Sequence, residues 1–470
     1  MKYYTDMNNI ESPIIVGLDI GTTKIAVIAG RKNDFGKLEI LGFGRSDSNG
    51  VQHGQVLNID CAMKAIHQAL KNCVASNPEL EINEVYVGIA GHHIKSMQTR
   101  GDLVRQDSEV EIQRAEIEQL INNQKKSFIP PGDEIIEVIP QDYQIDNFKN
   151  IKDPIGYNGV KVGANFHIIT GDRNAIKNIK RAIDRSSLIT KDLVLQPLAS
   201  ACAVMSDIDM DAGVVILDIG GGTSDLAIFH EGILRHTAVI PFGGENITHD
   251  IRMGLGVLKG QAEALKVQFG SALANEANAN AYITIPGLRG MPAKQISMKN
   301  LAEIIQARME EILDLVCIEL RKVGLDGRSL YGGLIITGGG SQLKHLIQLT
   351  EYRTGLNARI GLPNEHLAPN YIDELKLPNY STCIGLILKG FNDYDIQVKK
   401  FQDTNERLEV PTGKKAPKAP ETSPVVDTTP PPVVDQPNPP KDQPIDRSKF
   451  WDKFKNRLID IFADEEDKKI

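Results

Sequence analysis

The sequence predicts an α/β protein of two or more cores, organised around a phosphate-binding strand–turn–strand element that occurs almost twice. In the first copy an apolar run, Pro13 to Leu18, enters the turn Asp19-Ile20-Gly21-Thr22-Thr23-Lys24, and a second run, Ile25 to Ala29, leaves it. Far downstream, Val214 to Leu217 enters Asp218-Ile219-Gly220-Gly221-Gly222-Thr223-Ser224-Asp225, and Leu226 to Phe229 follows. A third glycine element runs from Gly333 to Ser341 and contains Gly338, Gly339 and Gly340. The length of 470 residues exceeds one ordinary domain.

Glycines let a backbone approach an anion closely, and successive N–H groups in such a turn form a nest for phosphate oxygens. The hydroxyls of Thr22, Thr23 and Thr223 add donors, and Lys24 adds positive charge. Asp19 and Asp218 end the entering strands, where two carboxylates would repel a bare phosphate. They make sense with a cation between them, and Mg²⁺ suits, since it binds through one or two carboxylates, waters and substrate phosphates. A single Asp-x-Gly-x-Thr also fits a purely structural hairpin. The pair, with the third glycine element, favours the nucleotide reading.

The three elements resemble the two phosphate hairpins and the adenosine loop of the actin-like ATPase superfamily. That resemblance implies an actin-like fold, two RNase-H-like halves around a nucleotide cleft, with ATP as the ligand. The chain after the first hairpin agrees. Lys37 to Gly44 reads as a third strand, Ile59 to Val74 as an amphipathic helix, and Glu84 to Ala90 as a β-branched strand.

At Gly91 an insertion begins that is too long for a loop. It predicts a helix over Glu109 to Lys125 and strands over Glu134 to Asp146 and Val160 to Thr170. The wording of Val87 to Ile94, Val138 to Asp146, Asp153 to Gly159 and His167 to Gly171 resembles the FtsA family of bacterial division proteins. In that family the insertion is subdomain 1C. His92 and His93 are adjacent, and adjacent residues of a strand point apart, which argues against a metal pair. The resemblance covers about residues 13 to 395. It implies subdomain 1A over 13–90, 167–210 and 373–395, 1C over 91–166, 2A over 211–249 and 329–372, and 2B over 250–328.

Arg173 to Ser186 reads as a helix, and Leu193 to Met205 as a strand end and a helix whose Ala199, Ser200, Ala201 and Ala203 let a second helix approach closely, as at a hinge. Gln196 falls where the superfamily carries a residue that orients the attacking water. Glutamine is a poor general base, so slow hydrolysis is expected, or Gln196 merely ends the strand before Pro197. Glu263 and Lys266, three apart on a helix ending in Phe269-Gly270, are either a solvated pair or the superfamily's contacts to adenosine. Lys299 to Arg321 is a long amphipathic helix, and Ser381 to Gly390 closes the folded part.

Composition bounds the rest. A net charge of −8 argues against a general nucleic-acid binder. The five cysteines are scattered without a C-x-x-C pair and suit small core positions in a reducing compartment. The segment from Met1 to Ser12 has no apolar signal core, and no stretch reaches 18 apolar residues, so a cytoplasmic location is expected.

From 401 to 446 proline and polar residues dominate, as in a disordered linker. Treated as a flexible coil it spans roughly 35–40 Å. Beyond it, over 447–463, Phe450, Trp451, Phe454, Leu458, Ile461 and Phe462 share one face of a helix, with Lys449, Lys453 and Arg457 beside them. So short a helix folds on meeting a surface. An interfacial membrane helix and a helix seated in a protein groove use the same pattern. The tether, the aromatic weight and the likeness to the FtsA family's C-terminal anchor favour anionic lipid. The acidic end, Asp464 to Asp467, departs from a purely cationic design.

The resemblance implies a protein that binds ATP and Mg²⁺, polymerises into a filament of itself, lies on the inner face of the cell membrane at the division site, tethers FtsZ there and recruits other division proteins. Thr22, Thr23, Lys24 and Gly220 to Thr223 would meet phosphates, with Gly21 shaping the first turn. Gly338 to Gly340 would meet adenosine. A sugar-kinase-like phosphotransferase shares the hairpins but has no use for the tether. A chaperone of the seventy-kilodalton heat-shock type would need a β domain that residues 401 to 446 cannot form. A PilM-like assembly adaptor also carries the insertion, and would use a peptide partner in place of a lipid anchor.

Overall fold

A computed structural model describes residues 12–409, apart from 128, 288–291, 326–328 and 370–371, with backbone alone for 399–409. The linker from 410 onward and the amphipathic segment 447–463, with every aromatic and basic residue assigned to it, lie outside the described residues.

Two five-stranded sheets share one topology. In the first the spatial order is Ile189–Leu195, Glu84–Ile89, Ile15–Ile20, Lys24–Lys32, Leu38–Asp47. In the second it is Ala358–Ile360, Gly333–Thr337, Val214–Ile219, Ser224–His230, Ile233–Ile240. Each is an antiparallel three-strand meander, with two parallel strands added beside its first strand. The hairpin strands are buried along nearly their whole length, which explains their continuous apolar runs. Helix Ile59–Val74 packs on the first sheet and opens on Asn58, whose side chain accepts from the Cys61 N–H.

Between the sheets run two helices, Gln196–Val204 and Ser381–Glu409. Their Ala201, Ala203, Val204, Cys383, Ile384 and Ile387 share a core with Ala26 and Ile28 of the first sheet and Val214, Ile216 and Ala227 of the second. The small residues of the first helix act as expected. A Cβ on Gly385 would stand 1.7 Å from the Ala199 carbonyl oxygen, so the helices cross backbone to backbone. The second helix continues to Glu409, so the expected linker start at 401 is corrected. Its residues 401–409 carry no proline or glycine to stop it.

The insertion is a separate layer: strands Lys95–Val104, Lys161–Asp172, Asp133–Ile145 and Phe148–Ile151, in that order, with helix Arg114–Gln124 on one face. Its core holds Ile112, Leu120, Ile145, Val162 and Phe166. Three readings change here. The expected boundary at 166 falls inside one unbroken strand, Lys161–Asp172, paired to Lys95–Val104 as far as Thr170. The helix begins at Arg114, not Glu109, because Ile112 is held by backbone bonds to Tyr157 and Gly156 and Glu116 caps Gln113. His92 and His93 sit in a turn after the strand Glu84–Ile89, not on it.

The insertion also docks on the second half. Its Ser96 Oγ donates to the Thr237 carbonyl (3.0 Å), Gln98 Nε2 to that of Arg235 (3.2 Å), and Gln141 Nε2 to that of Leu234 (2.6 Å). Those carbonyls belong to the edge strand Ile233–Ile240, so side chains of the insertion cap an otherwise open sheet edge.

Candidate functional site

Equivalent bonds close both hairpin turns. The Gly21 N–H donates to the Lys24 carbonyl (3.0 Å), and the Gly220 N–H to that of Thr223 (2.9 Å). The turns face each other so tightly that a Cβ on Gly221 would stand 2.5 Å from Thr23 Cγ2, and one on Gly222 2.6 Å from Thr22 Oγ1. Asp19, Gly21, Thr22, Thr23, Lys24, Gln196, Asp218, Gly220, Gly221, Gly222, Thr223, Gly338 and Gly339 line one cleft. The sequence placed these on four separated segments, the two hairpins, the third glycine element and Gln196 at the head of a hinge helix, and the fold brings them together.

Three predicted residues sit beside the cleft. A Cβ on Gly340 would stand 2.3 Å from Ile219 Cγ2, so this glycine serves close packing behind the hairpin. Lys266 Nζ donates to the Gly244 carbonyl, Thr248 Oγ1 and Glu263 Oε2, each at 2.8–2.9 Å. Glu263 also accepts from Thr248. Gly244 in turn donates to the Gly220 carbonyl at 2.9 Å, so the pair is tied to the second hairpin through backbone.

Two carboxyl groups, Asp19 and Asp218, line the cleft beside Lys24, and a third, Asp225, is buried close enough to feel both. Asp19 Oδ1 accepts from Gln196 Nε2 at 2.8 Å. Asp218 Oδ2 accepts from Ser200 Oγ at 2.5 Å and Thr382 Oγ1 at 3.0 Å. Asp225 Oδ2 accepts from Thr223 Oγ1 at 2.9 Å, while its Oδ1 is buried without a partner. Burial pushes Asp19 up to about 6, with Lys24 pulling it down and Asp218 adding to the rise. Burial, then the charges of Asp218 and Asp19, push Asp225 up to about 8. Lys24 is pulled down by burial; its Nζ donates to the Asn379 carbonyl and lies 3.7 Å above the Tyr380 ring centre.

This donor set fits a divalent cation with phosphates. The buried carboxyl groups of Asp19 and Asp218 on the cleft wall ask for a cation, and glycine backbone lies where a Cβ would fill the cradle. A Cβ on Gly338, whose φ is +78°, would stand 2.2 Å from Asp218 Oδ1. Sequence reasoning passed over Asp225, although it closes the second hairpin motif, and over Gly54, Asn379 and Thr382, which also line the cleft and carry no local signal.

Two half-sheets of one topology, crossed hinge helices and facing phosphate-type hairpins define an actin-like fold. A solved PilM–PilN type IV pilus biogenesis complex shares it at a TM-score of 0.57 and 15% identity, over 80% of this chain and 98% of that one. The family model for cell division protein FtsA matches residues 215–385, and that for the SHS2 domain inserted in FtsA matches 91–170. Cell division protein FtsA of Neisseria meningitidis is 38% identical over 79% of this chain and 88% of its own length. The Pseudomonas aeruginosa protein is 36% identical over 80% and 89%, and the Bacillus subtilis protein 32% over 84% and 87%. The chain belongs to the FtsA family of cell division proteins. No helix among the described residues is long and apolar enough to cross a membrane.

Proposed function

We propose that this chain binds ATP with Mg²⁺ in the cleft, polymerises, and holds itself on the inner face of the cell membrane at the division site, where it tethers FtsZ and recruits other division proteins. The observation that carries the nucleotide reading is the pair of facing hairpins with the carboxyl groups of Asp19 and Asp218 buried in the cleft between them. Asp19 and Asp218 would hold the cation through water. Thr22, Thr23, Lys24 and the second hairpin's backbone would hold phosphates, Gly338 and Gly339 the adenosine side. Glu263 and Lys266 reach ribose or base by exchanging their present internal bonds for ligand contacts. The bound cation would supply charge neutralisation between phosphates and carboxylates.

Gln196 donates one amide N–H to Asp19, which leaves its Oε1 and second N–H to orient a water. An amide orients but does not accept the proton, which fits slow turnover. The membrane reading rests on the amphipathic pattern of 447–463. One short helix binds lipid reversibly, and a filament carrying many gains avidity, so assembly would govern residence.

Co-sedimentation with anionic liposomes in ATP tests this, comparing the full chain with one stopped at Asp446, each beside a lipid-free control. Lipid-dependent pelleting of the full chain alone supports the anchor. Equal behaviour of both chains removes the anchor and favours a groove-seeking tail. A nucleotide-binding assay on Asp218→Asn, expected to lose Mg²⁺-dependent binding, tests the cleft separately.

A further inference from the structure

The hinge helix Gln196–Val204 addresses both halves of the cleft from one face. Gln196 and Ser200 are one turn apart, so their side chains lie on the same side. Gln196 bonds Asp19 of the first half, and Ser200 bonds Asp218 of the second. The closing helix does the same within three residues. Ser381 Oγ accepts from Thr337 Oγ1 at 2.8 Å and Thr382 bonds Asp218, both in the second half, while Cys383 Sγ contacts the Gly17 carbonyl of the first at 3.3 Å. Ser200 and Thr382 also approach each other, Oγ to Oγ1, at 3.0 Å. They meet one residue from the Ala199 end of the backbone crossing and three from its Gly385 end.

We propose that Ser200 and Thr382, one on each hinge helix, are positioning residues that clamp Asp218 Oδ2, so that cation affinity in the cleft depends on how the two helices cross. The inference rests on the reading of the cleft as a Mg²⁺–nucleotide site. The reasoning is geometric. A carboxylate on a single χ2 torsion is a loose two-fold rotor. Two hydroxyl donors on one oxygen stop the rotor and leave Oδ1 on the side of Gly338, which lines the cleft. Charge-assisted O–H···O⁻ bonds are the strong kind, and Ser200 is fully buried, so water does not replace it. The clamp has no slack at the crossing, where a Cβ would already overlap Ala199, so a rotation of either helix moves a donor off Oδ2. Hinge rotation and cation binding then bias each other, as linkage requires.

The test uses the full chain and its variants Ser200→Ala, Thr382→Val, the double variant, and Thr382→Ser, which keeps the hydroxyl. Melting temperature checks folding. Two binding readouts follow: Mn²⁺ uptake by the nucleotide-free chain, from the resonance of free Mn²⁺, and the Mg²⁺ midpoint for binding a fluorescent ADP. Each single loss of a hydroxyl is expected to raise both midpoints about tenfold. The double variant should fall short of the product of the two, because either loss alone frees the rotor. Thr382→Ser should stay within about twofold of the parent. For Ser200→Ala, whose side chain lies outside the cleft lining, ADP binding measured without divalent cation should not change, which a merely structural role would not predict.

An unmoved Mg²⁺ midpoint in a folded double variant overturns the clamp while leaving the nucleotide site in place. Failure of Thr382→Ser to preserve the parent's midpoint also overturns it, since the methyl would then be what matters. If the parent takes up neither Mn²⁺ nor ADP, the reading of the cleft falls, and the clamp falls with it.

Discussion

Gly385 and Ala199 meet without a side chain between them: a Cβ on the glycine would lie 1.7 Å from the alanine carbonyl oxygen. In an isolated helix Gly→Ala is stabilising by about 1 kcal/mol. Here the neighbour is backbone and cannot swing aside, so the sign reverses. Gly385→Ala is expected to destabilise the protein by about 1–3 kcal/mol through overpacking, read as a lower urea midpoint. An unchanged or higher midpoint would show that the helices part without cost.

Gly338 makes a second case at the cleft itself. Its φ of +78° and ψ of 175° belong to a region open essentially to glycine, and an added Cβ would overlap Asp218 Oδ1. Gly338→Ala should lose Mg²⁺-dependent nucleotide binding by at least about tenfold while melting as one cooperative unit. Calorimetric titration checks both the affinity and, through its stoichiometry, the folded fraction.

His167 couples the insertion to the second half and carries a pH signature. It is 1% exposed, its Nε2 lies 2.9 Å from Thr237 Oγ1, and its Nδ1 has no partner. Burial, with a smaller push from His236, lowers it to about 4. The unfolded chain therefore binds the extra proton first as pH falls. Stability present above about 6.5 is lost progressively down to about 4, by up to about 3 kcal/mol from this residue. His167→Gln should flatten that part of the melting-temperature profile. An unchanged slope would assign the acid sensitivity elsewhere, with buried His93, also lowered to about 4, the next group to replace.

Gln141 tests the docking of the insertion. Its amide serves the Leu234 carbonyl at 2.6 Å and the Arg235 carbonyl at 3.3 Å, and its side chain is buried. Gln141→Leu leaves the Leu234 carbonyl without that donor, at a cost of about 1–3 kcal/mol. Amide exchange across Ile233–Ile240 should then speed up relative to the neighbouring strand Ser224–His230. Uniform exchange in both strands would show that the edge holds by its ladder alone.

Much of the site was readable along the chain because a phosphate-type hairpin is a local object. Asp19 to Lys24 and Asp218 to Thr223 set their own turns by glycine, hydroxyl and strand-end chemistry within a few residues, and the structure closes both turns with equivalent bonds. The strand Lys95–Val104 carries a weak local signal because most of its ten residues are polar or small and only Thr99 and Val104 are β-branched. The extension of the last helix to Glu409 was hidden by polar composition, which a helix tolerates where no proline interrupts it. Asp225 was visible in the motif, but its value lies in burial, and burial is not written in the neighbouring residues.

By itself, the sequence determined the repeated hairpins, the elements that follow the first hairpin, the small residues of the first hinge helix and the amphipathic pattern of the tail, since each follows from spacing within one turn, strand or helix. Tertiary structure alone decided which groups meet. Thr382 reaches Asp218 across 164 residues, Gln196 reaches Asp19 across 177, and Gln141 reaches Leu234 across 93. Such pairs exist only once the two sheets, the crossed helices and the insertion have packed, because hydrogen-bond reach is about 3 Å and only packing sets distances that finely.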